Sequence, residues 1–254
     1  MPQPRGVTLP LSLPRRFICD LLHFARQVPT IPVQRRMRLA PLVAARAAAV
    51  PRPTWCAVFT KAYAFVSDAY PPLRRCYVPW PWPRLYEHPL SVAKVAVERP
   101  FAGEDAVFYA HVSEPQTLPL AHIDVRLRRY KEAPLESIGT FRRYLRLSRL
   151  PWPLRRAAWW LALSLSGAKR TRFLGTYGVT TYSGLGASSL HPINLSTSTL
   201  NYGVFDDDGS LDVRLTYDHR VLDGSTVARA LADLERALLH EIVAELRYLQ
   251  ALAA

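Results

Sequence analysis

Cysteine, acidic side chains and long apolar runs are all scarce in this chain of 254 residues. Its three cysteines, Cys19, Cys56 and Cys76, are widely spaced and form no CxxC pair. An odd number of isolated cysteines argues against a disulfide framework and against a zinc site, and it favours a reducing compartment. We therefore expect a protein without a bound metal.

The longest apolar stretch, AAWWLALSLSG from Ala157, is far shorter than the roughly 20 residues that a membrane-spanning helix needs. The N-terminus is rich in proline and lacks the long apolar segment of a signal peptide. These absences predict a cytoplasmic protein that is either soluble or peripheral at a membrane surface.

The shortage of acidic residues gives the chain a net charge of +13, from 33 Lys and Arg against 20 Asp and Glu. Hydrophobic residues make up 49% of the chain, which is typical of a globular protein with a hydrophobic core. The excess positive charge predicts an anionic partner, for which nucleic acid, an anionic membrane surface and a phosphorylated ligand are the candidates.

The spacing of apolar residues predicts helices and strands in one mixed α+β domain. We see no internal repeat and no linker, so the domain is expected to span residues 14–254 after an extended lead over 1–13. The predicted helices cover 15–28, 40–50, 55–70 and the C-terminal region, where Ser225 is the expected N-cap. The predicted strands cover 31–39, 91–99, 106–112 and two segments around the Asp-Gly turn at 208–209.

The sequence LTYDHRVLDG, from Leu215 to Gly224, carries the residues most suited to chemistry. A histidine at the end of a strand, here His219, can accept a proton near neutral pH if its ring tautomer is fixed. Gly224 permits a tight turn where the strand gives way to a helix. Asp223 at that corner either orients the loop that carries His219, by pairing with an arginine, or caps the helix.

The segment YDHRVLDG resembles the DHRxxDG signature of the catalytic domain of the 2-oxo acid dehydrogenase acyltransferases, whose fold is shared with chloramphenicol acetyltransferase. The similarity continues upstream in the family's order, at low identity, and covers nearly the whole chain from about residue 10. The similar segments are RRFICDLLHFARQVPTIPVQRRMRLAPLVAAR, VFTKAYAFVSDAYPPL, VAVERPFAGEDAVFYAHV and GTYGVTTYSGLGASSLHPI, which begin at residues 15, 58, 95 and 175.

This resemblance implies a chloramphenicol acetyltransferase-like two-layer fold, in which helices cover a mixed β-sheet. It also implies that His219 is the general base and that the hydroxyl of Thr180 stabilises the oxyanion, with Thr181 as the neighbouring alternative. Taken alone, Thr180 is better explained as an ordinary strand threonine. The site would be supported by Arg220, by Gly224 and by Asp223, the last paired with Arg15 or Arg16.

The family assembles as trimers, so the resemblance implies a homotrimer or a larger assembly of trimers, with His219 and Thr180 contributed by neighbouring chains. The expected co-substrate is a coenzyme A thioester (acyl-CoA), with no permanently bound cofactor. The N-terminal lead has no room for a lipoyl domain. We therefore expect a stand-alone catalytic core whose acceptor is a thiol, hydroxyl or amine other than tethered lipoamide. A lipid-like acceptor is expected if the basic segment described next meets a membrane.

The segment 126–172 is basic and rich in tryptophan, with thirteen Lys and Arg and two Glu, a net charge of +11. Arginine beside tryptophan is typical of an interfacial membrane helix, which would place Arg155, Arg156, Trp159 and Trp160 against anionic lipid. Two alternatives are a buried helix under a basic rim and, for a few of the arginines, a contact to the phosphates of coenzyme A.

An acyltransferase that uses acyl-CoA is the function that the sequence favours. One alternative is a non-catalytic trimeric scaffold with the same fold. A nucleic-acid-binding protein is the less favoured alternative, because no recognised nucleic-acid-binding module accompanies the basic segment.

Overall fold

A computed structural model of the chain describes residues 6–253, so that residues 1–5 of the predicted lead lie outside the described residues. The α-helices are α1 (Leu13–Ala25), α2 (Ala40–Ala48), α3 (Trp55–Ala69), α4 (Leu120–Glu132), α5 (Gly139–Arg149), α6 (Trp152–Ser164), α7 (Gly167–Leu174), α8 (Gly224–Ala237) and α9 (Val243–Ala253). The strands are β1 (Thr30–Arg38), β2 (Arg75–Val78), β3 (Arg84–Glu87), β4 (Val92–Phe101), β5 (Glu104–Ser113), β6 (Tyr177–Thr180), β7 (Ser198–Tyr202) and β8 (Ser210–Asp218).

The main sheet has six strands in the order β1-β8-β7-β6-β4-β5. Strand β6 runs parallel to both β4 and β7, and the other neighbours are antiparallel. Strands β2 and β3 form a separate hairpin. The predicted mixed sheet covered by helices is therefore confirmed.

Successive side chains of a strand point to opposite faces of the sheet, and the two faces of this sheet differ in polarity. Buried apolar residues of β4, β6, β7 and β8 pack with α3 and α8 in the larger core, among them Val95, Val179, Leu200 and Leu215. The residues between them fall on the other face, which carries Lys94, Gly178, Thr180, Thr199 and Arg214.

The long C-terminal helix is present, and one π-helical turn over Leu238–Ile242 joins α8 to α9. Its start differs from the prediction, because Asp223 and not Ser225 is the N-cap residue. Asp223 has an extended backbone, and its carbonyl accepts the amide hydrogen of Val227 at 3.1 Å. Ser225 lies one residue inside the first helical turn.

The basic segment 126–172 folds into α4 to α7, and half of its predicted membrane-contact residues face inward. Trp159 is fully buried in a second core, where its ring contacts Phe17 of α1 at a centroid distance of 5.3 Å. Arg155 is buried and paired with the buried Asp20. The predicted membrane contact is therefore wrong for Arg155 and Trp159, because their helical spacing places both against α1.

Arg156 also pairs with Asp20, at 3.1 Å, while Trp160 on the neighbouring face of α6 is 40% exposed.

Within residues 6–253, none of the helices combines the length and the apolar character that a transmembrane span requires.

Replacing Asp20 with asparagine should lower the free energy of unfolding by about 3–5 kcal/mol, because two arginines would lose their only carboxylate in a buried site. Urea denaturation of both proteins measures this loss. The control is Glu87→Gln, which breaks the exposed Arg75–Glu87 pair and should cost about 1 kcal/mol or less. Equal losses for the two variants would contradict the structural role of Asp20.

Candidate active site

His219 lies on the turn directly after β8, and its side chain is about half exposed. The backbone amide of His219 donates to the carbonyl of Pro29 at 3.0 Å, which ties this turn to the segment between α1 and β1. Its ring nitrogen Nδ1 lies 3.1 Å from the carbonyl oxygen of Leu222. Since a carbonyl oxygen only accepts hydrogen bonds, Nδ1 carries the hydrogen in the neutral ring. Nε2 then has a free lone pair, as a general base requires.

The turn that presents His219 is held by an ion pair between Asp218 and Arg220. The guanidinium of Arg220 donates to the carboxylate of Asp218 from Nε at 2.9 Å and from Nη2 at 2.7 Å. The backbone amide of Arg220 donates to the same carboxylate at 3.0 Å. Because Asp218 is buried and makes three contacts with Arg220, the residues on either side of His219 have little freedom.

The expected pairing of Asp223 with Arg15 or Arg16 is not formed. Among residues 6–253, Asp223 has no arginine partner, its side chain is 85% exposed, and its nearest opposing group is Nδ1 of His219 at 4.0 Å. Arg16 instead donates to the carbonyl of Leu11. The Asp218–Arg220 pair orients the turn from inside, so Asp223 is left facing solvent.

Gly224 begins α8, and its φ is not positive, so the tight glycine turn that the sequence suggested does not occur there. A Cβ at this position would lie 3.6 Å from the hydroxyl of Tyr217, an ordinary contact. Space does not require glycine at this position.

Thr180 is the last residue of β6, and its half-buried side chain lines a cavity. Within the described part of the chain, its hydroxyl makes no hydrogen bond. The neighbouring hydroxyl of Thr181 is occupied, because it lies 2.8 Å from Oγ of Ser183 and 3.2 Å from the carbonyl of Tyr202. Thr180 is therefore the available hydroxyl, and Thr181 stabilises the loop that follows β6.

One chain does not bring His219 and Thr180 together. Thr180 is paired with Asn201, which is paired with Arg214, and His219 lies five residues beyond Arg214. Five residues of strand span about 17 Å, so the two side chains lie at opposite ends of the sheet. A site that uses both needs two copies of the chain.

The cavity beside Thr180 has a volume of about 1030 Å³. Strands β4 and β5 and the loop after β6 form its walls, together with parts of α1 and α4. His219 is absent from its lining, whereas Arg15, Lys94, Tyr109 and His191 contribute to it. The volume is large enough for a drug-sized organic molecule.

Buried titratable groups make this cavity electrostatically unusual. Burial, with the charge of Arg170, lowers the pKa of Lys94 to about 7. Burial, with the charges of Lys94 and Arg143, lowers the pKa of His111 to about 4, so that His111 is neutral at pH 7. Burial also raises the pKa of Tyr109 to about 12.

Lys94 is a site residue that the sequence did not predict. The only signal was a lysine between apolar neighbours in the strand SVAKVAVER, which an exposed strand face would explain equally well. The burial of that face depends on which elements cover the sheet.

No protein-family model and no curated protein matches the sequence. Several solved structures do match the fold. A probable dihydrolipoamide acetyltransferase from Listeria monocytogenes is 17% identical, with a TM-score of 0.65 over 92% of this chain and 94% of that chain. The dihydrolipoamide acetyltransferase of Azotobacter vinelandii is 16% identical, with a TM-score of 0.66 over 94% and 93%. Chloramphenicol acetyltransferase is 12% identical, with a TM-score of 0.50 over 90% and 98%.

The chain has the chloramphenicol acetyltransferase-like fold. The fold expected from the sequence resemblance is thereby confirmed, and the alignments extend over nearly the full length of these neighbours. At 12–17% identity the similarity establishes the fold, and the chemistry has to be argued from the residues of the site.

The neutral ring of His219 should carry its hydrogen on Nδ1, because only that tautomer can donate to the carbonyl of Leu222. Two-bond ¹H–¹⁵N correlation spectra of histidine-labelled protein at about pH 8.5, where histidine is normally neutral, report the tautomer directly. A His219→Gln variant identifies the signal among the seven histidines. A signal typical of the Nε2–H tautomer would show that Nε2 is not the free base.

Proposed function

We propose that this protein is an acyltransferase that moves an acyl group from a coenzyme A thioester to a thiol, hydroxyl or amine acceptor. The observation that carries the proposal is the geometry of His219, whose ring is oriented by the Leu222 carbonyl on a turn held by Asp218 and Arg220. The fold, shared with acyltransferases, supports the same reaction class.

In this proposal, Nε2 of His219 removes the proton of the acceptor as the acceptor attacks the thioester carbonyl. The hydroxyl of Thr180 donates a hydrogen bond to the resulting oxyanion. When the tetrahedral intermediate collapses, the C–S bond breaks, and the protonated His219 returns the proton to the departing thiolate. A positioned base contributes roughly 10²–10⁴ in rate, and one oxyanion donor about 2.7–4 kcal/mol.

A known acyltransferase with this fold supports the assignment of His219. A serine, a histidine and an asparagine four residues after that histidine have a role in the catalytic mechanism of the A. vinelandii enzyme. Here Asp223 lies four residues after His219, which is the same spacing, and Thr180 offers the hydroxyl. Since Asp223 makes no ion pair with arginine, we assign it a supporting role close to the His219 ring.

We further propose that the protein acts as a homotrimer in which each site combines His219 of one subunit with Thr180 of the next. The separation of about 17 Å within one chain supports this arrangement. So does the fold, since a similar structure forms the cubic core of a pyruvate dehydrogenase complex, with 15% identity and a TM-score of 0.63.

Mixing two inactive variants tests both the residues and their arrangement. His219→Ala should lower kcat by roughly 10²–10⁴, and Thr180→Val by roughly 10²–10³, whereas Thr180→Ser should stay close to the native protein. Co-expressing His219→Ala with Thr180→Val should restore activity, because about one interface in four then combines an intact histidine with an intact threonine. Release of coenzyme A from acyl-CoA with hydroxyl and amine acceptors measures turnover.

Two outcomes would contradict the proposal. Inactivity of the mixed assembly, with both single variants folded, would place the site within one subunit. If acyl-CoAs from acetyl to palmitoyl neither raise the melting temperature nor turn over, the thioester donor is excluded and the scaffold alternative is favoured.

We also propose that a peripheral contact with an anionic membrane brings the protein to a lipid-like acceptor or acyl chain. The supporting observation is an exposed aromatic patch formed by Trp80, Trp82 and Trp160, which are 40–75% exposed. The ring centroids of Trp80 and Trp160 are 6.1 Å apart, and the guanidinium of Arg84 donates to the backbone carbonyls of Trp80 and Trp82. Exposed aromatic rings beside arginine suit the headgroup layer of a bilayer.

Vesicles of anionic phospholipid should bind the native protein, and vesicles of neutral phospholipid should bind it weakly. The double variant Trp82→Ser, Trp160→Ser should bind anionic vesicles about tenfold more weakly or worse, because two rings lose their apolar burial. The control is Leu185→Ser, an equally exposed apolar residue elsewhere on the surface. Co-sedimentation measures binding, and an unchanged affinity of the double variant would remove the membrane proposal.

A further inference from the structure

Lys94 is a buried lysine that opens onto the cavity of Thr180. It is the third residue of β4, it is 5% exposed, and it contributes to the cavity wall. Its ammonium group lies over the ring of Tyr109, 4.9 Å from the ring centroid. Its neighbours in register are His111 of β5 and Gly178 of β6.

No carboxylate of the described residues lies within 4 Å of this ammonium group, and no hydrogen bond satisfies it. The charged and titratable groups that face it are Arg170 from α7, His111 and Tyr109 from β5, and Arg15 across the cavity. None of them is an anion at pH 7. The immediate surroundings of Lys94 are therefore neutral or positive. The cavity wall also contains carboxylates, each more than 4 Å from the ammonium group, namely those of Glu98, Glu104, Asp105, Asp124 and Glu132.

The chain treats its other buried lysine differently. Lys61 is 6% exposed, and it forms an ion pair with Glu245 at 2.5 Å. Buried charges in folded proteins are normally paired in this way, because an unpaired ammonium group loses its hydration without compensation. Lys94 lacks such a partner among residues 6–253, and it faces a cavity in which a ligand could supply one.

The position of Lys94 also relates it to the proposed reaction. Thr180 follows Gly178 by two residues on the same face of the sheet, about 7 Å further along β6. Lys94, Gly178 and Thr180 all line the same cavity. Residue 178 has no room for a side chain, since a Cβ there would lie only 2.7 Å from the hydroxyl oxygen of Thr199. One small molecule can therefore reach both the ammonium group and the hydroxyl.

We propose that Lys94 binds a carboxylate of the substrate that occupies this cavity and so selects a carboxylate-bearing substrate. Placing the reacting carbonyl at Thr180 rests on the proposed function of acyl transfer. The binding of a carboxylate at Lys94 is independent of that proposed function. The carboxylate belongs either to the distal end of the acyl group or to the acceptor.

The protonation of Lys94 can be observed directly, because the chain has only four lysines. Reductive methylation with ¹³C-formaldehyde labels them for NMR, and the signal missing from Lys94→Met is that of Lys94. We expect this signal to titrate close to pH 7 in the free protein. Succinate or glutarate at saturation should raise its titration midpoint, because a nearby negative charge favours the ammonium form.

The affinity for carboxylates should follow the charge of Lys94. It should be constant below pH 7, where the free lysine is protonated, and fall about tenfold per pH unit above pH 7, where binding has to take up a proton. Lys94→Met should bind carboxylates about 30-fold more weakly or worse. The matched control, Lys169→Met, removes an exposed lysine that does not line the cavity and should change affinity little.

Comparing succinyl-CoA and glutaryl-CoA with butyryl-CoA and pentanoyl-CoA assigns the source of the carboxylate. A preference for the carboxyacyl thioesters that is lost in Lys94→Met assigns it to the donor. Binding of free dicarboxylates without binding of any acyl-CoA would keep the Lys94 site and remove the thioester donor from the proposed function.

Other outcomes would overturn the Lys94 proposal while leaving acyl transfer intact. In the first, all acyl-CoAs bind equally well with or without a carboxylate, and carboxylates leave the titration midpoint of Lys94 unchanged. In the second, a preference for carboxylates persists in Lys94→Met. Thermal unfolding supplies a further check, since Lys94→Met should be at least as stable as the native protein. A marked loss of stability would mean that the ammonium group already has a partner inside the chain.

Discussion

The alternation of side chains along β4, β6, β7 and β8 is the constraint on which the rest of the molecule depends. Every second residue is apolar and meets α3 and α8, so the register of these strands is tied to the burial of that face. The intervening residues are then directed to the other face, whatever their polarity. This is how Lys94, Thr180 and Thr199 come to lie beside a cavity and not in the core.

The polar face is covered by other parts of the chain, so its groups depend on specific hydrogen bonds. Thr199 donates to Asn194 at 2.9 Å, and Arg170 of α7 donates to the carbonyl of Leu195 at 2.8 Å. Within residues 6–253, buried polar atoms of Asn201 and Thr216 on this face have no partner. A buried polar surface with unused hydrogen-bonding capacity is suited to binding a polar ligand or another subunit.

The arginines of segment 126–172 serve two physical roles that composition does not distinguish. Arg155 pairs with Asp20, and Arg170 bonds carbonyls of the neighbouring backbone, so both are internal ties between helices. Others remain exposed at the surface, among them Arg142, Arg143, Arg146 and Arg149 of α5. The net charge of +11 of this segment is therefore larger than the charge that it presents to a membrane. The alternative of a buried helix under a basic rim applies to the side of α6 that packs against α1.

The sequence by itself predicted part of the secondary structure and the fold class. Apolar spacing predicted α1 to α3 and β4, β5 and β8 nearly in place, because hydrophobic periodicity is a local property of the chain. The motif around His219 likewise identified the histidine that the structure presents on a fixed turn. Only the tertiary structure decided that Asp218 and not Asp223 pairs with an arginine, and that Lys94 is buried without a partner. The Asp218–Arg220 pair joins residues only two apart, but it is the tertiary structure that buries Asp218 and leaves Asp223 exposed. The burial of Lys94 likewise depends on which distant elements cover the sheet, and no local pattern encodes that covering.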